Sequence, residues 1–145
     1  MTDLIVLVGL QGSGKSTLVQ SRFAWTHRVV SKDHWPNARR REQRQQRVVR
    51  ELLAAGISVV VDNTNAAPED RAALIALAKE FEVPVRAIFI NTSQDVALAR
   101  NRAREGRALV PDVGFFATVK RLIPPTTAEG FDSVEVVGGD DGADG

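Results

Sequence analysis

The sequence contains no cysteine. That excludes disulfides, zinc–thiolate sites and a thiol nucleophile, and it fits a reducing, cytoplasmic setting. No apolar run approaches the ~20 residues that a membrane-spanning helix needs. The first apolar run, residues 4–8, is too short for a signal-peptide core and leads straight into glycines, so no leader is expected. There is no internal repeat. Net charge is nearly absent too, at +1, but the total hides an asymmetry. Arginines crowd between Arg39 and Arg50 and between Arg100 and Arg107, whereas acids collect at the end of the chain.

In bulk the chain is ordinary: 145 residues, 43% hydrophobic and 26% charged, which suits one globular domain. Residues 4–8 are apolar without alternation, 57–61 and 83–90 are largely so, and all three read as strands buried on both faces. Weaker strands are expected at 28–31 and 133–137, and helices at 14–23, 35–55, 69–81, 94–104 and 111–123. Gly56 is placed to end the second helix, Pro68, Glu69 and Asp70 suit the first turn of the third, and Thr92 or Ser93 can cap the fourth. Strands alternating with helices predict an α/β fold, a parallel sheet with helices on both faces. The domain is expected over residues 1–137, with 138–145 a disordered tail of glycine, aspartate and one alanine.

The pattern G-x-x-x-x-G-K-[ST] is met by Gly9, Gly14, Lys15 and Ser16, between a buried strand and a helix. Such a loop turns backbone N–H groups onto phosphates, and the following helix adds its positive end. Gln11, Gly12, Ser13, Gly14, Lys15, Ser16 and Thr17 are therefore candidate ATP-binding residues. Lys15 would reach the β- and γ-phosphates, and the Ser16 hydroxyl would bind Mg²⁺. Asp62 ends the strand Val59-Val60-Val61, where an acid can hold Mg²⁺ directly or through water. It could instead serve the turn Asn63-Thr64-Asn65. Asp33, just past the strand at 28–31, is the candidate general base, and His34 is its rival.

Residues 39–47 hold no apolar side chain, so that half of the second helix has nothing to bury. Arg40, Arg44 and Arg47 share one face, with Arg39 and Arg50 on another. Either the face is simply solvated, or it is a cationic wall beside the acceptor site that holds a polyanion. Trp35 could stack on a base or pack in the core. Four arginines in eight residues, Arg100 to Arg107 with Gly106 as a hinge, suggest a lid over the transferring phosphates.

Together these stations resemble the P-loop kinase domain of the polynucleotide 5′-hydroxyl kinase family of nucleic-acid end-repair enzymes. The matching stretches are residues 9–17, Lys32-Asp33, Asp62-Asn63-Thr64-Asn65 with Arg71, Val83-Pro84-Val85-Arg86, Arg100-Asn101 with Arg104, and Glu129-Gly130-Phe131. The resemblance implies a five-stranded parallel sheet in the order 2-3-1-4-5. It makes Asp33 the base for a 5′-hydroxyl and Arg100 and Arg104 the lid groups. The nucleic-acid 5′-hydroxyl end of DNA or RNA enters over the loops after strands two and three, which adds Lys32, Thr64 and Asn65 to Trp35, Arg39, Arg40 and Arg44 as acceptor-binding residues. Lys32 stands where the family commonly has arginine, and residues 35–47 do not align, so the acceptor-contacting arginine is unassigned. No Asp-x-Asp-Gly-Thr phosphatase motif occurs, and a phosphatase domain is not expected in this chain. A small-molecule P-loop kinase would share Lys15, Asp33 and Asp62 without needing the arginine helix. A non-catalytic nucleotide-binding module would not need Asp33.

Overall fold

A computed structural model describes residues 1–36 and 39–138. One parallel sheet is built from β1 Leu4–Val8, β2 Arg28–Val30, β3 Val59–Val61, β4 Val85–Ile90 and β5 Ser133–Val137. Their order across the sheet is β2-β3-β1-β4-β5, as expected. The helices are α1 Lys15–Arg22, α2 Arg41–Ala54, α3 Pro68–Glu80, α4 Gln94–Arg102 and α5 Asp112–Arg121.

Every side chain of β1 is 0% exposed, which is why its sequence does not alternate. Successive residues still face opposite layers. Leu4 and Val6 pack with Val49, Leu53, Leu74 and Ala78 from α2 and α3, whereas Ile5 and Leu7 pack with Val19 and Phe23 beside α1. Each such burial is worth roughly 1.5–3 kcal/mol, so β1 is the strand the layers are built on. A third cluster, Leu10, Ala97 and Phe115, ties the loop after β1 to α4 and α5. Because the strands run parallel, with Val6 level with Val61 and Val61 with Val30, the segments that follow β1, β2 and β3 emerge side by side.

Two local expectations change, at the start of α2 and the end of α4, and one open choice is settled. The helix expected from Trp35 begins at Arg41, after a single 3-10 turn at Lys32–His34. Pro36 biases its predecessor away from the helical region. Trp35 accordingly sits at φ −131, ψ 61, and Arg40 is left-handed at φ 55, so α2 starts afresh. Ser93, not Thr92, caps α4 by accepting from the Val96 amide at 3.3 Å. α4 stops at Arg102, which leaves Arg104 in the loop. Of the expected tail, Gly138 is described, and residues 139–145 lie outside the described residues.

Candidate active site

The loop from Gly9 to Gly14 joins β1 to α1, with Gly12 at φ 79 and Gly14 at φ 104. A Cβ on Gly12 would stand 2.3 Å from the Ala97 carbonyl oxygen, so only glycine lets α4 lie against the loop. Two further contacts fix it: the Gly9 amide donates to the Thr64 carbonyl (3.0 Å) and the Thr92 hydroxyl to the Ser13 carbonyl (2.8 Å). Lys15 Nζ curls back, donating to the carbonyls of Gly9 (3.1 Å) and Leu10 (2.8 Å).

The segment Asp62-Asn63-Thr64-Asn65 works residue by residue as a clip. The Asp62 amide extends the sheet by donating to Val30 O at 2.8 Å, leaving its carboxylate at the strand's carboxyl end. Asn63 Oδ1 accepts from the Lys32 amide (3.0 Å), and its Nδ2 donates to the buried Gln45 of α2 (2.7 Å). That pins the turn carrying Asp33, whose own amide donates to Ser31 Oγ at 3.1 Å. Thr64 holds the phosphate loop through its carbonyl. Asn65, left-handed at φ 45 as asparagine tolerates, donates to Leu7 O at 2.7 Å.

Residues 103–111 join α4 to α5 and include a 3-10 turn, Gly106–Ala108. The buried Asn101 staples the base of this segment: its Nδ2 donates to Val110 O (2.7 Å) and its Oδ1 accepts from Val110 N (3.1 Å). The Arg102–Asp112 pair spans it a second time at 2.6 Å.

Two cavities meet at Ser16 and Arg104. The larger, about 790 Å³, is lined by Gln11, Lys15, Lys32, Asp33, Asp62, Thr64 and Asn65 among the residues picked from sequence. The second, about 530 Å³, runs along Gly12, Ser13, Gly14 and Thr17 to Arg100. Trp35, Arg39, Arg40 and Arg44 line neither. Trp35 is half-buried against the core and stacked under the Arg44 guanidinium, 5.0 Å from its centroid. His34 is exposed and also outside the larger cavity.

That cavity contains groups not singled out in the sequence: Arg41, Asn63, Asp70, Thr118 and Arg121. Arg41 was one arginine in a run, and nothing local distinguishes it. Asp70 was legible only as a first-turn acid. It does accept from the Ala67 amide (3.1 Å), but it also holds Arg121 through both carboxylate oxygens, at 2.8 and 2.7 Å.

Electrostatics tie the stations together. Burial lowers the Lys15 ammonium to about 8, against the pull of Asp62 and Asp33 and with a push from Arg104. Burial raises the Asp62 carboxyl, opposed by Lys15 and reinforced by Asp33. A cation between a half-buried carboxylate and a hydroxyl would relieve that cost, and Ser16 and Asp62 line the same cavity. Gly12 to Gly14, Arg100 and Arg104 likewise fit a polyphosphate along the second cavity, with Lys15 on the larger side of the junction.

A protein-family model described as an AAA domain matches residues 4–120. The chain belongs to that family. The match takes in the glycine loop, Asp33, Asp62 and the segment between α4 and α5, and stops short of β5. Over 139 residues, 93% of the chain, it is 34% identical to a bifunctional polynucleotide phosphatase/kinase of Schizosaccharomyces pombe, of whose length it spans 33%. Among solved structures, a fungal RNA kinase superposes with a TM-score of 0.71 at 16% identity, covering 95% of this chain and 75% of that one. A gluconokinase from Sinorhizobium meliloti gives 0.66 at 21%, covering 93% and 81%. The fold is thus that of P-loop kinases.

Proposed function

We propose that the protein is a kinase that transfers the γ-phosphoryl group of ATP to the 5′-hydroxyl end of a DNA or RNA strand. The observation that carries this is the junction of the two cavities: Ser16 and Arg104 belong to both, and Lys15, Asp62 and Asp33 surround the larger side of it. The second cavity takes the nucleotide and the larger one the acceptor. Support comes from the likeness to the polynucleotide phosphatase/kinase, and the intact Asp33 beside an intact loop speaks against a non-catalytic module.

In this arrangement ATP brings the phosphoryl group and Mg²⁺ offsets its negative charge. The loop amides and Lys15 hold the β- and γ-phosphates, and Ser16 with Asp62 would hold the cation. Asp33 Oδ accepts the proton of the acceptor hydroxyl and orients its oxygen. Arg100 and Arg104 lie over the charge that builds up during transfer.

Arg41 is assigned to the acceptor's first phosphate. Of the cations lining the larger cavity, Lys32 is paired with Glu42 (2.6 Å) and Arg121 with Asp70 (2.7 Å). Lys15 and Arg104 stand at the junction. Among the described residues Arg41 has only the Lys32 carbonyl, at 3.3 Å. Incubation with labelled ATP and a panel of 5′-hydroxyl DNA, 5′-hydroxyl RNA, nucleosides and sugars tests the reading. Label should pass to strands, and preferential labelling of a nucleoside or sugar would replace it with a small-molecule kinase.

A further inference from the structure

The arginines around the start of α2 do not form one wall. Arg41 faces the larger cavity, whereas Arg39, Arg40, Arg44 and Arg47, with Gln43, line a separate hollow of about 360 Å³. On α2 the buried row is Gln45, Val49 and Leu53, and the exposed Arg44 and Arg47 are turned away from it. No acid pairs with these four arginines among the described residues, although Lys32, Arg50, Arg102 and Arg121 nearby or elsewhere all have carboxylate partners. The cluster also sits at the positive end of the helix, and like charges four apart, such as Arg40 and Arg44, repel one another. Both effects work against folding. A polyanion reverses both.

We propose that this outward face is a second phosphate-binding tier, separate from the acceptor cavity, for the part of a single strand that has already left it. The proposal rests on the acceptor reading above. Continuity along the chain supports it: Arg39 and Arg40 directly precede Arg41, so a strand whose first phosphate meets Arg41 leaves the cavity at the edge of the hollow. Trp35 belongs to the tier as a prop, since its ring lies under Arg44 and orients that guanidinium. From Arg40 to Arg47 the helix rises roughly 10 Å. At about 3.4 Å per nucleotide, the spacing of a strand whose bases stay stacked as in a duplex, that length covers about three phosphates. Arg41 then serves acceptors of any length, and the tier serves only those long enough to emerge.

The test is a triple variant, Arg39→Gln, Arg40→Gln and Arg47→Gln, which leaves the Trp35–Arg44 stack intact. Its fold is checked by circular dichroism. KM is measured for a mononucleoside 3′-phosphate and for single strands of four, eight and sixteen nucleotides across a salt series. Wild type should show KM falling with length and then levelling. The variant should lose that fall, and its salt slope for the sixteen-mer should be smaller by roughly 2, at about 0.7 for each phosphate released. Its KM for the mononucleoside should stay within twofold. An unchanged length dependence and slope, or an equal loss at every length, overturns the tier. Should wild type phosphorylate no strand at all, the acceptor reading fails, and fluorescence anisotropy decides the tier alone. Salt-sensitive binding of a 5′-phosphorylated sixteen-mer by wild type, weakened at least tenfold in the variant, upholds it. Equal binding by both, or binding to phosphatidylserine vesicles with none to the strand, overturns it.

Discussion

Burial holds the Lys15 ammonium at about 8, so in the free protein it loses its proton as pH rises through that value, well before an exposed lysine would. A polyphosphate favours the charged form. ATP binding at pH 9 should therefore take up close to one proton, and affinity should fall by up to about tenfold per pH unit above 8. Calorimetry in EDTA, in buffers of different ionisation enthalpy, reads the uptake directly. Lys15→Arg, charged throughout, should abolish the buffer dependence; if wild type shows none either, Lys15 does not meet the phosphates. Asp33 lines the larger cavity and not the second one. Asp33→Asn keeps the shape and loses the proton acceptor, which should lower kcat by about 10²–10⁴. ATP affinity, measured by the same calorimetry, should stay near wild type. A collapse of affinity with turnover intact would make Asp33 a nucleotide ligand.

Two of the connecting segments are held by asparagine side chains. Asn63 joins the Asp33 turn to α2, and Asn101 ties the segment between α4 and α5 back at Val110. Asn63→Ala removes the acceptor of the Lys32 amide and orphans the buried Gln45, at a cost of about 1–3 kcal/mol. It should lower kcat more than it raises the KM for ATP, because it loosens the base and not the phosphate loop. Asn101→Ala should do the opposite and weaken ATP binding, because in the proposed arrangement Arg100 and Arg104, beside that staple, hold its phosphates. Steady-state kinetics with both substrates varied separates the two, and equal effects on both parameters would mean only general destabilisation. This is also where the sequence stops being legible. β1, β3 and the glycine loop were readable because burial on both faces and a backbone turned onto phosphate each demand particular residues in a row. The clip was visible as Asp62-Asn63-Thr64-Asn65, yet its division of labour depends on which strand ends lie adjacent. Arg41 could not be told from Arg39 or Arg40, since the break before α2 decides which of them turns inward.

Across the whole molecule, the wall of the larger cavity is held from behind by one fully buried cation. Arg71 donates from Nε to Ala67 O (3.1 Å) and from Nη2 to Ala66 O (3.1 Å) and Ile123 O, while its Nη1 lies 3.5 Å from Glu129. It thereby joins the segment after β3, the end of α5 and the turn before β5, three pieces far apart in sequence. α5 carries Thr118 and Arg121 into the cavity, so their position depends on Arg71 although it touches no proposed ligand. Breaking a buried pair by removing one partner costs about 3–5 kcal/mol, because the other charge is left without compensation. Here three carbonyls also lose their donor. Arg71→Ala should accordingly lower Tm by roughly 10 °C or more, at about 2–4 °C per kcal/mol for a domain near this size. Glu129→Gln removes the charge but can still accept from the Thr126 amide, which Glu129 holds at 3.0 Å, so it should cost clearly less. In the double variant the loss should fall short of the sum of the two, since no charge remains to be stranded. Thermal and urea unfolding of the four proteins closes that cycle. Additive losses would show that Arg71 acts through its three carbonyls alone, and that Glu129 serves only the turn it caps.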